Sequence, residues 1–178
     1  MIIDYTIRFS DLVHMLTLIT AVFGGLFALY KWNKSMRIKR ADYIKDLIEI
    51  KNNEWILETF TLIDYDTEWY NLQFHGSELE NKIDYTLTYF DFICYLNDRR
   101  IFDKETFMLF KYQIDSIVKN KQIHDYFYNL YHYSENNGLA TSYYYLLKYA
   151  LEHKCIDDSF MDKATYMDNK LYNQYLNW

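Results

Sequence analysis

The chain has no proline among its 178 residues, only four glycines and only two cysteines. Two of the glycines, Gly24 and Gly25, fall inside an apolar run, which leaves Gly76 and Gly138 for turns. Tight hairpins draw heavily on glycine, proline, asparagine and aspartate at set positions. The shortage therefore argues against a β-rich fold and favours long helices joined by short polar loops. Cys94 and Cys155 stand in no paired spacing, which excludes a zinc ribbon, a CxxC redox motif or a disulfide scaffold. Both fall at apolar helical spacings and are expected as buried free thiols.

Chemical signatures are also missing. The sequence contains no glycine-rich phosphate loop, no HExxH, no GxSxG and no calcium-loop run of aspartates. The histidines His14, His75, His124, His132 and His153 have no partner among themselves four residues away. His124 beside Asp125, or His153 with Asp157, could serve acid–base chemistry in a membrane-tethered enzyme acting on a nucleotide or phosphate ester. Such proximity is common in charged helices, so no catalytic, cofactor-binding or metal-binding residue is assigned.

What is present begins at Leu12. The stretch Leu12 to Tyr30 reads LVHMLTLITAVFGGLFALY, 19 residues without a formal charge, followed at once by KWNKSMRIKR. At about 1.5 Å of rise per residue, a helix of that length approaches the ~30 Å hydrocarbon core of a bilayer. Asp4, Arg8 and Asp11 precede it and bulky Tyr30-Lys31-Trp32 follows, unlike a cleaved signal peptide. The reading is an uncleaved transmembrane anchor over 12–30, with a short extracytoplasmic N-terminus over 1–11. Lys31, Lys34, Arg37, Lys39 and Arg40 form a basic juxtamembrane linker over 31–40 without an acid, and are expected to contact lipid head groups. Basic flanks stay on the cytoplasmic side, so the N-terminus should face out and the body should lie in the cytoplasm.

Small residues recur every fourth position in the run: Thr17, Ala21, Gly25 on one line and Thr20, Gly24, Ala28 on the next. That spacing lets helix backbones approach and marks a candidate packing face for a homo-oligomer.

Charge separates sharply. Residues 1–40 hold 6 basic and 2 acidic residues of the chain's 19 and 25, leaving a body with 13 and 23, a net of −10. An acidic body repels phosphate backbones, so nucleic acid is disfavoured as a partner and a protein partner is expected.

The body, 41–165, reads as a helical bundle, and a segment over 166–178 spaces Met167, Leu171, Tyr175 and Trp178 one turn apart for docking. A first helix is predicted to run on from the anchor to about Leu62, with a break at Asp64-Tyr65-Asp66. Asp66 is expected to cap a short helix carrying Trp69 and Leu72. Ser77-Glu78-Leu79-Glu80 has the form of a capping box. The helix it opens carries two apolar stripes, Leu79/Ile83/Leu87/Phe90/Cys94 and Tyr85/Tyr89/Phe92/Leu96, which suits a central position. Asp103 should cap the next helix, whose core face is Phe107, Phe110, Ile114 and Ile117. Ser134 to Gly138 reads as a loop, Leu139 to Leu151 as a helix, and Asp157-Asp158 as the start of a short one.

Eight tyrosines fall between Tyr126 and Tyr149. Tyrosine offers contact area at low entropy cost, so Tyr126, Tyr131, Tyr143 and Tyr144, with Trp178, are the candidate interface residues. The plainer expectation is that these rings line helix boundaries with their hydroxyls in water.

The middle of the body, Thr88-Tyr89-Phe90-Asp91-Phe92-Ile93-Cys94-Tyr95-Leu96-Asn97 and then Arg100-Ile101-Phe102-Asp103-Lys104-Glu105-Thr106-Phe107, resembles an uncharacterised bacterial family. Its members have one N-terminal membrane helix, a basic linker and a small helical cytoplasmic domain. Many carry a glycine before the second helix, where this chain has Arg99-Arg100. The resemblance implies no catalytic residues, a place in a bacterial inner membrane and, since some such proteins are suspected of acting in bacterial defence or stress systems, a context of that kind.

Overall fold

The computed structural model describes residues 9–71 and 73–162. The described residues form six α-helices and a short 3-10 turn, with no strand among them. The helices are α1 (Phe9–Lys51), α2 (Glu54–Asp64), α3 (Glu78–Asp98), α4 (Lys104–Lys119), α5 (Lys121–Asn137) and α6 (Tyr144–Glu152); the 3-10 turn is Asp158–Met161. The chain divides into two compact units, Met1–Glu49 and Ile50–Trp178.

The described residues of the first unit, 9–49, all belong to α1. Residues 31–40 are helical and continue the apolar segment directly, so the basic stretch is a stiff extension of the helix. Every residue from Phe9 to Tyr43 is exposed.

The second unit is built around α3, which packs against α2, α4 and α6. Ile83, Leu87, Phe90 and Ile93 are wholly buried along it, while Tyr85 and Phe92 of the second expected stripe remain 38% and 42% exposed. Facing them, α4 buries Phe107, Phe110, Ile114 and Ile117, the face its periodicity predicts.

Polar side chains set the helix boundaries. Ser77 accepts from the Glu80 amide at 3.1 Å, as a capping box requires. The return arm lands one residue earlier than expected: Glu80 Oε2 accepts from the Gly76 N–H at 2.5 Å, and its Oε1 lies 2.7 Å from His75 Nδ1. Asp103 caps α4 through the Thr106 amide at 2.8 Å. Asn120 ends α4 and caps α5, accepting from the Gln122 and Ile123 amides.

Four expectations are corrected. The first helix stops at Lys51, because Asn53 accepts from the Trp55 amide at 2.9 Å and opens α2 as a separate helix. Asp66 is no N-cap. With φ 48° it terminates α2, its own N–H donating to Ile63 O and that of Thr67 to Leu62 O. Thr67 to Tyr70 is accordingly irregular, and Leu72 lies outside the described residues. Ser134 to Asn137 is the last turn of α5 rather than a loop, closed by Gly138 at φ 63°. Finally, α6 begins only at Tyr144, which leaves Leu139 55% exposed before it.

The same closing pattern ends α2, α3, α5 and α6: a left-handed residue follows the helix and two N–H groups turn back onto its last carbonyls. Only α5 uses glycine there; Asp66, Arg100 and Lys154 occupy the other three positions at φ 48°, 56° and 55°. A glycine-poor chain still makes glycine-type turns, at a local cost.

Candidate functional site

The apolar stretch of α1 is the feature that the rest of the chain does least to explain. Among the described residues, α1 is the one helix long and apolar enough to cross a membrane, and no part of that stretch is buried. Thr17 and Thr20 turn their hydroxyls inward, donating to Val13 O and Leu16 O at 2.8 Å each. The helix surface is notched along Val13, Leu16, Thr17, Thr20 and Ala21. Gly24 and Gly25 have nothing within 4 Å of where a Cβ would stand. Gly25 continues the line of Thr17 and Ala21; Gly24 and Ala28 continue that of Thr20. Lys31, Lys34, Arg37, Lys39 and Arg40 are all exposed, and the Lys31 ammonium lies back over the Phe27 ring at 5.6 Å.

In the second unit, the densest polar construction joins α3 to α6. Three aspartates of α3 lie seven residues apart, and each grips the α6 segment. Asp84 Oδ1 accepts the hydroxyls of Tyr126 and Tyr143, at 2.7 Å each. Asp91 Oδ1 accepts the amides of Tyr145 and Leu146 at 2.7 and 2.9 Å. Asp98 receives the Lys148 ammonium. Burial raises the Asp84 and Asp91 carboxyls above the usual carboxylate range, in spite of the hydrogen bonds that favour their charge. Lys148 holds Asp98 below that range. The Tyr126 and Tyr143 hydroxyls are pushed far up by burial and by Asp84, so both stay protonated donors.

A second cluster fixes the irregular segment between α2 and α3. The Trp69 and Tyr70 amides both donate to Gln122 Oε1 at 2.7 Å, and Gln122 Nε2 donates to Thr67 O at 2.7 Å. Trp69, Tyr70 and Phe74 then pack their rings on Tyr126, with centroids 6.4, 5.4 and 5.2 Å away.

His124 and His153, the candidates for acid–base chemistry, are committed to backbone, as is His132. His124 Nε2 lies 2.5 Å from Val118 O, His132 Nε2 lies 3.1 Å from Phe160 O and His153 Nδ1 lies 2.9 Å from Tyr149 O. His124 does line an open groove of about 270 Å³ with Cys155, Asp157 and Ser159. There the Ser159 hydroxyl and amide lower the Asp157 carboxyl, which makes it a poor base. Among the described residues, no three His, Cys, Asp or Glu side chains are placed to hold a metal ion.

The candidate interface residues separate on inspection of their surroundings. Tyr126 is a core residue, 2% exposed, and has no surface to offer a partner. Tyr143 is half-buried with its hydroxyl on Asp84, and its ring stacks on Phe127 at 5.8 Å. Tyr131 is half-buried against His132 and Phe160, whereas Tyr144 is 54% exposed. Trp178, with the whole expected docking segment 166–178, lies outside the described residues. Three of the eight tyrosines, Tyr126, Tyr143 and Tyr149, thus give their hydroxyls to carboxylates, the last to Asp115 at 2.9 Å, while Tyr144 keeps the expected exposed position. Cys94 is buried, with a thiol raised by desolvation; Cys155 sits past the end of α6 and is half-exposed, contrary to expectation. The seven-residue spacing of Asp84, Asp91 and Asp98 is visible in the sequence, but nothing local in it reveals that α6 lies opposite. Comparison with protein-family models, curated proteins and solved structures gives no match to this chain.

Proposed function

We propose that the protein is a membrane-anchored, non-enzymatic helical module: α1 inserts in the bacterial inner membrane, and the second unit recognises a protein partner or signal in the cytoplasm. The observation that carries this reading is the uncharged stretch from Leu12 to Tyr30, held in one continuous helix and exposed at every residue. Nineteen exposed residues without a charge, most of them apolar, would be costly in water and are favourable in lipid. The basic continuation from Lys31 supports an N-out orientation by the positive-inside rule.

The sharper form of the reading makes the span an assembly element of a defence or stress effector, with Thr17, Ala21 and Gly25, or Thr20, Gly24 and Ala28, at the helix contact. Carbonate extraction of membranes tests the anchor: the chain should stay in the pellet, and release to the supernatant would refute it. Protease added to spheroplasts should leave the body intact, and cleavage there would reverse the orientation. Self-association is read by crosslinking in membranes, where Gly24→Ile with Gly25→Ile should abolish dimers; unchanged crosslinking would remove this face. Dye-filled cells that never leak under any inducing condition would remove the membrane-damaging form of the effector.

A further inference from the structure

We infer that Lys31, Lys34 and Arg37 form a clamp for the phosphate of anionic phospholipids, and that Lys39 and Arg40 do not belong to it. The inference rests on the anchor reading above. Because residues 31–40 continue α1 as helix, each cation stands at a fixed height beyond the apolar segment. Lys34 lies about 4.5 Å and Arg37 about 9 Å past Lys31 along the axis, at steps of about −60° around it. The head-group layer is about 5–7 Å deep on each side of the hydrocarbon. Lys31 and Lys34 therefore stand in that layer, and Arg37 reaches it by bending its long side chain back. Lys31 already takes this course, its ammonium laid toward the apolar segment over Phe27 at 5.6 Å. Lys39 and Arg40 stand about 12 and 13–14 Å out, beyond that reach.

Charge pairing draws the same line. No Asp or Glu occurs within four residues of Lys31, Lys34 or Arg37 on either side. Lys39 and Arg40 have Asp42 within one turn, and farther along Lys45 pairs with Glu49 at 3.2 Å. Three cations over one-third of a helix circumference, without carboxylates of their own and beside an apolar segment, suit a phosphate diester carrying acyl chains. Free phosphate would satisfy the charge but leave the apolar neighbour unused. Nucleic acid would meet the acidic body, at net −10.

The test uses the full chain reconstituted in vesicles of equal phosphatidylcholine and phosphatidylglycerol, with spin-labelled forms of each lipid reporting those held at the protein boundary. The wild-type chain should enrich phosphatidylglycerol on the order of fivefold, a ratio set by surface cations of ordinary strength. Lys31→Gln with Lys34→Gln and Arg37→Gln should bring this below about twofold, while Lys39→Gln with Arg40→Gln should leave it unchanged. Equal enrichment in the first variant, or loss in the second, overturns the clamp while leaving the anchor standing. Binding of an RNA oligonucleotide that the first variant loses, with no lipid preference, also overturns it. Absence of boundary signal from either lipid would instead overturn the anchor reading itself.

Discussion

Asp91, in the middle of α3, accepts the backbone N–H of Tyr145 at 2.7 Å and so caps a helix 54 residues away in sequence. The neighbouring Leu146 amide donates to the same oxygen. α6 needs this, because its own N-cap position is Tyr143, which has φ 50° and supplies no side-chain bond to the helix. Asp91→Ala should cost about 1–2 kcal/mol of unfolding free energy, the usual value of a lost N-cap. Asp91→Asn, which keeps an acceptor, should cost less than half of that. Urea unfolding of the detergent-solubilised chain followed by circular dichroism measures both, and equal losses would show that the Asp91 charge, not its capping geometry, matters.

The three carboxylates along α3 should divide in their pH dependence. Asp84 has a raised pKa in the fold because burial outweighs the bonds from Tyr126 and Tyr143, with Glu80 adding to the rise and His75 opposing it. A folded state that holds a proton more tightly than the unfolded chain is favoured by that group below the ordinary carboxylate value, near pH 4, and loses the benefit as pH rises through the raised value. Asp98 is the reverse, since Lys148 lowers it; its contribution is present above about pH 4 and is lost as pH falls through the folded value. Relative to wild type, the deficit of Asp84→Asn should therefore shrink as pH rises from about 4 toward 7, whereas that of Asp98→Asn should stay level there and shrink below about 4. Unfolding curves across that range check the pair, and parallel profiles would contradict the assignment.

Arg100 closes α3 at φ 56°, where its own N–H donates to Asn97 O and that of Ile101 to Leu96 O. A side chain in the left-handed region costs about 1–2 kcal/mol, part of which glycine returns through the greater freedom it gives the unfolded chain. Arg100→Gly should thus stabilise by about 0.5–1 kcal/mol, seen as a higher urea midpoint at unchanged slope. Tyr143→Gly relieves the same backbone strain but deletes the Asp84 bond and the ring against Phe127, and should destabilise by roughly 2–3 kcal/mol. A gain at Tyr143 would mean that the left-handed strain outweighs everything that ring does.

These positions also mark where sequence is a good guide to this fold and where it is not. Ser77 and Asp103 are readable because a cap acts within three residues, and the Phe107–Phe110–Ile114–Ile117 face because periodicity is local. Asn53 was equally local, but the apolar spacing running through it masks the break. Asp66, Arg100 and Lys154 carry no such signal, since the turn they make is ordinarily announced by glycine. Tyr126 misleads for a different reason: the group that receives its buried hydroxyl, Asp84, lies 42 residues earlier. The apolar character of Leu12 to Tyr30 is legible residue by residue, while its exposure along one continuous helix is visible only in three dimensions.

Gln122 joins two parts of the bundle through one amide group. Its oxygen receives the Trp69 and Tyr70 amides, its nitrogen donates to Thr67 O, and the irregular segment between α2 and α3 is thereby held on α5. Trp69 and Tyr70 are buried with Tyr126, so releasing their backbone would also loosen the rings. At about 1 kcal/mol net for each bond, Gln122→Leu should cost roughly 2–3 kcal/mol, since leucine fills similar volume and restores none of the three. Gln122→Glu keeps the acceptor for both amides but replaces the donor to Thr67 O with an oxygen, and should fall between. Hydrogen exchange separates a local from a global effect. In Gln122→Leu the Trp69 and Tyr70 amides should lose protection by far more than those at Ile114 and Ile117 in α4. Equal acceleration throughout would show that Gln122 supports the whole bundle and not one segment of it.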